Sequence, residues 1–119
     1  MTVIFRSLVF ITAVLMSATG FAAPFDGLYT SVDGTWSCNP EDLGMDGGVL
    51  GIQGAYLHGL ENTCELTKPT SIRGMDAVLF DAQCSGEGEQ YSYRVMIMRH
   101  EEGLYLVQDG LVADWRRCQ

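Results

Sequence analysis

Lysine and arginine are scarce in this chain, seven in all against fifteen aspartates and glutamates. Beyond residue 22 the cations reduce to Lys68, Arg73, Arg94, Arg99, Arg116 and Arg117, scattered along the sequence with no cluster. A phosphate backbone demands grouped Lys and Arg, so nucleic acid is not an expected partner. The same repulsion disfavours an anionic membrane surface. Strong acidity instead favours solubility and steering towards basic partners.

Long hydrophobic runs are also missing, with one exception. Leu8 to Met16 is almost unbroken apolar, preceded by Arg6 and followed by Gly20-Phe21-Ala22. This is the pattern of a signal peptide, with small residues at the minus-three and minus-one positions of a cleavage site after Ala22. A cut after Ala23 would set the rigid ring of Pro24 beside the scissile bond. The run is short of the about 20 residues needed to span a bilayer, so no stable anchor is expected after cleavage. No cysteine precedes Cys38, which removes a lipid-attachment site at the end of the signal. The reading is residues 1–22 as a cleaved signal peptide and residues 23–119 as one domain, released to the periplasm or secreted.

A domain of that length is close to the lower limit for stability from a core alone. Four cysteines follow the signal, Cys38, Cys64, Cys84 and Cys118, and an even count in a short exported chain reads first as two disulfides. Zinc sites bring cysteines in close pairs, whereas the nearest here are twenty residues apart. Four cysteines permit three connectivities. If Lys68 to Asp76 forms a symmetric loop, Cys64 falls opposite Phe80, and the offset from Cys84 is about 13 Å, too far for a bridge. That favours Cys38 with Cys64 and Cys84 with Cys118, while an asymmetric loop restores Cys64 with Cys84.

Helical periodicity of useful length is absent. Only Asn39-Pro40-Glu41-Asp42-Leu43 reads as a helical turn, with Asn39 as its cap and Pro40 at the first helical position. Turn signals are frequent, with Asp-Gly steps at Asp26-Gly27, Asp33-Gly34, Asp46-Gly47 and Asp109-Gly110. Between them the periodicity is two. Tyr91, Tyr93, Val95 and Ile97 alternate with Ser92, Arg94, Met96 and Met98, and Val78, Phe80, Ala82 and Cys84 alternate with Leu79, Asp81 and Gln83. Ser85 to Glu89 reads as the loop between these two strands. Leu104 to Val107 and Leu111 to Arg117 flank Gln108-Asp109-Gly110, Leu28 to Val32 and Thr35 to Cys38 flank Asp33-Gly34, and Val49 to Gln53 and Tyr56 to Leu66 flank Gly54. The fold class expected is all-β: a small antiparallel meander, closed or nearly closed as a barrel, or else a β-sandwich, with two disulfides.

Chemistry-bearing clusters are few. Met96, Met98 and His100 occupy alternate positions of one strand, a soft set suited to copper(I), yet Met96 and His100 stand about 13 Å apart along it. Packing is the plainer use of flexible methionines, and no cofactor is expected. His58 reads as a surface or capping histidine. Asp42 and Asp46 beside Gly47 and Gly48 lack the alternating acidic ligands of a calcium loop. Glu87 and Glu89 flank Gly88 in a turn, where carboxylates are solvated and poorly placed for acid–base work. Two histidines and oxidised cysteines are thin material for a nucleophilic triad, so a non-enzymatic reading is favoured. Tyr29, Trp36, Tyr56, Tyr91, Tyr93, Tyr105 and Trp115 exceed what so small a core must bury, and Tyr and Trp are favoured contact residues. The candidate binding loop is Ser85, Gly86, Glu87, Gly88, Glu89 and Tyr91, its ligand an unidentified protein or small molecule.

Asp33-Gly34-Thr35-Trp36, Glu61-Asn62-Thr63-Cys64, Cys84-Ser85-Gly86-Glu87-Gly88 and Arg117-Cys118 resemble a group of small exported bacterial proteins of unknown function with similarly placed cysteines. That resemblance implies fold and location only. Gly88-Glu89-Gln90-Tyr91 is also similar to the Ser-Gly-x-x-Tyr element of the periplasmic inhibitors of C-type lysozyme, with Glu87 standing where the motif has Ser. It implies a small barrel whose loop enters the enzyme's cleft. Lysozymes are commonly basic, which suits an acidic inhibitor.

Overall fold

The structure, a computed structural model, describes residues 23–32 and 36–119. The expected signal segment 1–22 and the expected turn at Asp33-Gly34 lie outside the described residues. Among the described residues eight strands run in chain order as one antiparallel meander: β1 Gly27–Ser31, β2 Leu50–Gln53, β3 Tyr56–His58, β4 Asn62–Ser71, β5 Ala77–Gly86, β6 Glu89–His100, β7 Gly103–Gln108 and β8 Leu111–Arg117. β8 returns to β1 through Tyr29 opposite Arg117, Thr30 opposite Arg116 and Ser31 opposite Trp115, and the barrel closes.

The two-residue alternation read from the sequence separates inside from outside. Val78, Phe80, Ala82 and Cys84 of β5 are all buried, as are Val95 and Ile97 of β6, while Leu79 and Asp81 face outward. Leu104 and Leu106 of β7, Trp115 of β8, Leu57 of β3 and Ile52 of β2 complete the filling. One plug comes from outside the sheet. A single 3-10 turn, Ala23–Phe25, places Phe25 in the core with only 1% of its surface exposed. The Tyr29 hydroxyl donates to the Phe25 carbonyl at 2.5 Å, Arg99 donates to the Pro24 carbonyl, and the Arg99 guanidinium lies 5.7 Å above the Phe25 ring.

Several expectations are corrected. The cysteines pair as Cys38 with Cys118 and Cys64 with Cys84, not as Cys38 with Cys64 and Cys84 with Cys118. The reason is that β4 does not stop near Leu66. It runs on to Ser71 through a bulge in which Lys68, with φ of 51°, and Pro69 together oppose Phe80. The β4–β5 turn is therefore centred on Gly74, with φ of 79°, and Cys64 comes to face Cys84 directly. Pro69 is tolerated because β3 pairs with β4 only from Thr63 to Glu65, so the outer edge of β4 at Pro69 needs no donor.

Tyr56 to Leu66 is likewise two strands rather than one. The chain reverses at Gly59–Glu61, and β3 pairs back onto β4. Trp36 to Cys38 form no strand, and β1 takes β2 and β8 as neighbours instead. Asp26-Gly27 opens β1 rather than turning a hairpin, its carboxylate accepting from the Gly54 N–H at 2.9 Å. Asn39 does cap Pro40–Asp42, which is a 3-10 turn. The Cys38–Cys118 bridge ties this segment to the end of β8. Two disulfides mark an oxidising compartment. Among the described residues no helix is long and apolar enough to cross a membrane.

Candidate functional site

The β5–β6 hairpin ends in a two-residue turn, Glu87-Gly88, whose φ angles of 52° and 79° are both left-handed. Such a turn matches the twist of the flanking strands. The five-residue loop expected from Ser85 to Glu89 is consequently narrower. Ser85 and Gly86 belong to β5 and Glu89 and Tyr91 to β6, so the candidate residues form the end of a paired hairpin. Gly86 is required there. A Cβ at this position would lie 2.7 Å from the Cβ of Asn62 and 2.7 Å from the carbonyl oxygen of Glu61, where the start of β4 crosses close by.

Tyr91 stands on the inward-facing side of β6, opposite Cys84, but at the rim of the barrel, where it is 41% exposed. Two contacts hold it. Its ring stacks on that of Tyr93, with centroids 6.3 Å apart and planes 13° from parallel. Its hydroxyl accepts from Asn62 Nδ2 at 2.6 Å. The Cys64–Cys84 bridge joins the neighbouring strands at the register position of Tyr91, and Tyr93 Oη approaches Cys64 Sγ at 3.8 Å. Burial pushes the Tyr93 phenol above its ordinary range, and the neighbouring Tyr91 adds to the effect. Glu61, Glu87 and Glu89 make the rim acidic, and all three are exposed. Beside the turn, Gln83, Ser85, Gln90, Tyr91 and Ser92 line an open concavity of about 470 Å³.

Met96, Met98 and His100 do share one face of β6, the outward one. The structure gives that face other uses. Met96 lies in a cross-strand row with Leu79 of β5 and Val107 of β7. His100 has both ring nitrogens engaged: Nδ1 accepts from the Glu102 N–H at 3.1 Å and Nε2 lies 2.9 Å from Asp114 Oδ1. Its ring packs on Tyr105 at 4.2 Å. Asp114 also receives Arg116 through two bonds, of 3.2 and 3.1 Å. Partial burial works against the Asp114 carboxylate, but hydrogen bonds and charge from Arg116 and His100 outweigh it and hold the carboxyl below its ordinary range.

Sequence reasoning missed this His100–Asp114–Arg116 cluster. The signal was present, since Asp114 and Arg116 alternate on β8 and the short turns after His100 and Gln108 set β8 next to β7, so that Asp114 reaches His100 of β6 across the intervening strand. Among the described residues no group of three or more His, Cys, Asp or Glu side chains is placed to hold a metal. Asp42, in the loop considered for calcium, accepts instead from the Ser37 hydroxyl at 2.7 Å. His58 sits half-buried in β3 between Gly51 and Thr63.

Compared with known proteins, the chain matches no family model. Neither the search of curated proteins nor that of solved structures found a match.

Proposed function

We propose that this chain is an exported, non-catalytic binding module that presents the end of its β5–β6 hairpin to a basic partner protein. In this reading residues 1–22 are a cleaved signal and the mature domain, about -9 in net charge with six cations against fifteen anions, works in the periplasm or outside the cell. The observation that carries it is Tyr91. An aromatic side chain left 41% exposed, yet fixed by stacking and a hydrogen bond, has little rotamer freedom left to lose on binding. The surrounding glutamates supply steering towards positive charge.

An enclosed small ligand is less well supported. The barrel interior is occupied by Phe25, Tyr29, Ile52, Phe80, Val95, Ile97 and Leu104, each with 1% or less of its surface exposed. Copper(I) carriage fares no better, since His100 would have to surrender a turn hydrogen bond or its aspartate.

A more specific form of the same reading is inhibition of C-type lysozyme, favoured by Gly88 lying in the turn and Tyr91 being exposed three residues on. Purified mature protein is expected to protect bacterial cells from lysozyme, and Tyr91→Ala to abolish the protection. No protection at a large excess of protein would end the lysozyme reading. Binding to other basic proteins that is indifferent to Tyr91→Ala would end the broader one.

A further inference from the structure

β6 is longer than the strand that covers it. It pairs with β5 from Glu89 to Met98, but β7 meets it only from Met96 to His100. β7 ends at Gln108, and the Asp109-Gly110 turn carries the chain away into β8. The outer edge of β6 from Glu89 to Val95 thus has no ladder partner among the described residues. This stretch is about 20 Å long.

The identity of the open backbone groups follows from the pairing. Gly86 and Glu89 flank a two-residue turn and so exchange hydrogen bonds, as do Cys84 with Tyr91 and Ala82 with Tyr93 in alternation. Gln90, Ser92 and Arg94 therefore direct their N–H and C=O groups away from β5. The β6–β7 ladder agrees, because His100 and Gly103 flank its turn and the same alternation points Met98 and Met96 at β7. Gln90, Ser92 and Arg94 are all exposed.

Two further features lie along this edge. At its inner end, where β6 parts from β7, Leu79, Tyr93, Met96 and Val107 border a largely apolar notch of about 510 Å³ that Arg94 and Asp109 also line. At its outer end are the carboxylates of Glu87 and Glu89, and Asp109 stands beside the notch. Arg94, the cation on the edge, is already neutralised by Asp81 at 3.0 Å. Exposed edges are ordinarily covered or guarded by charge. This one is open to backbone pairing, carries an apolar socket and is flanked by negative charge at both ends.

We infer that β6 receives an extended segment of a basic partner by strand addition, in line with β7, with Lys or Arg at the acidic ends and an apolar side chain in the Leu79–Met96–Val107 notch. The inference rests on the proposed binding role and names how the partner is held: main-chain hydrogen bonds to Gln90, Ser92 and Arg94 give affinity, and the notch and the carboxylates give selection.

The test is amide hydrogen exchange on the full mature protein, with a capped octapeptide of alternating Lys and Val as the probe. In the free protein the amides of Gln90, Ser92 and Arg94 are expected to exchange freely, while those of Tyr91 and Tyr93 are protected. Saturating peptide is expected to slow the first three by about tenfold or more. Ser92→Pro removes an outward N–H without breaking a bond to β5, so this variant is expected to fold, keep the Tyr91 environment and lose the peptide. Unchanged exchange at the three amides, with peptide contacts confined to Tyr91 and Glu87, would overturn strand addition while leaving the hairpin-end reading standing. Protection that grows with protein concentration and no peptide would overturn it in favour of self-pairing. Absence of any binding at millimolar peptide would also overturn it.

Discussion

Cys64 and Cys84 face each other across β4 and β5 with their Cα atoms 4.0 Å apart, and the bridge between them lies inside the barrel. It fastens the β4–β5 ladder at the position that pairs with Tyr91 of β6. The second bridge, Cys38 with Cys118, does different work. It spans eighty residues and secures the segment before β2 against the chain's end.

Loop length predicts how the two bridges rank. Closing a loop of about 20 residues stabilises by about 3 kcal/mol, and one of about 80 by about 4.5 kcal/mol, if chain entropy dominates. Replacing Cys38 and Cys118 by alanine is thus expected to lower the denaturation midpoint more than bridge entropy alone predicts for Cys64 and Cys84. The inner pair also leaves a hole, because Cys64 is fully buried, and this narrows the gap. Guanidinium denaturation of both double variants checks the ranking. Peptide mapping without reduction should yield fragments joining Cys38 to Cys118 and Cys64 to Cys84, and no other pairing.

Phe25 is expected to matter as much as any residue in the sheet. It fills one end of the barrel from a turn that begins at Ala23, the first residue after the expected cleavage point. Phe25→Ala should cost about 3 to 5 kcal/mol, with Arg99 losing its aromatic contact as well. Thermal melts of the variant measure this. A loss below about 1 kcal/mol would mean that the barrel end closes without the plug.

The Asp114 cluster carries a pH signature. A carboxyl held below its ordinary range contributes stability above its unfolded value of about 3.9, and that contribution disappears as pH falls through the lower folded value. The stability difference between the wild type and Asp114→Asn is therefore expected to be largest near neutrality and to shrink below about pH 4. Urea denaturation of both proteins at neutral and acid pH provides the comparison. A difference that does not change with pH would remove the hydrogen-bonded carboxylate from the account.

The alternation in β5 and β6 was legible because each residue there answers to one environment, inside or outside. Asp109-Gly110 was legible because an Asp-Gly step suits a two-residue turn between alternating strands. Register was harder. The bulge at Lys68-Pro69 adds one residue to β4, and no local pattern marks a strand that continues through proline on an unpaired edge. β3, three residues long, is held by its neighbours rather than by its own sequence. Phe25 escaped notice because its burial depends on the barrel end that it closes. In the candidate site, the glycines and Tyr91 could be read directly. Asn62 could not, since it meets Tyr91 across twenty-nine residues of chain.

The hairpin end, and not some other face, is expected to meet the partner. A photo-crosslinking residue placed at Gln90 reports on that end, and one at Arg73, in the exposed β4–β5 turn, serves as the control. In intact cells that export the protein, irradiation is expected to give a discrete cross-linked species from position 90 that is absent from position 73 and is lost with Tyr91→Ala. Equal cross-linking from both positions, or none from position 90, would mean that the partner does not meet the hairpin end.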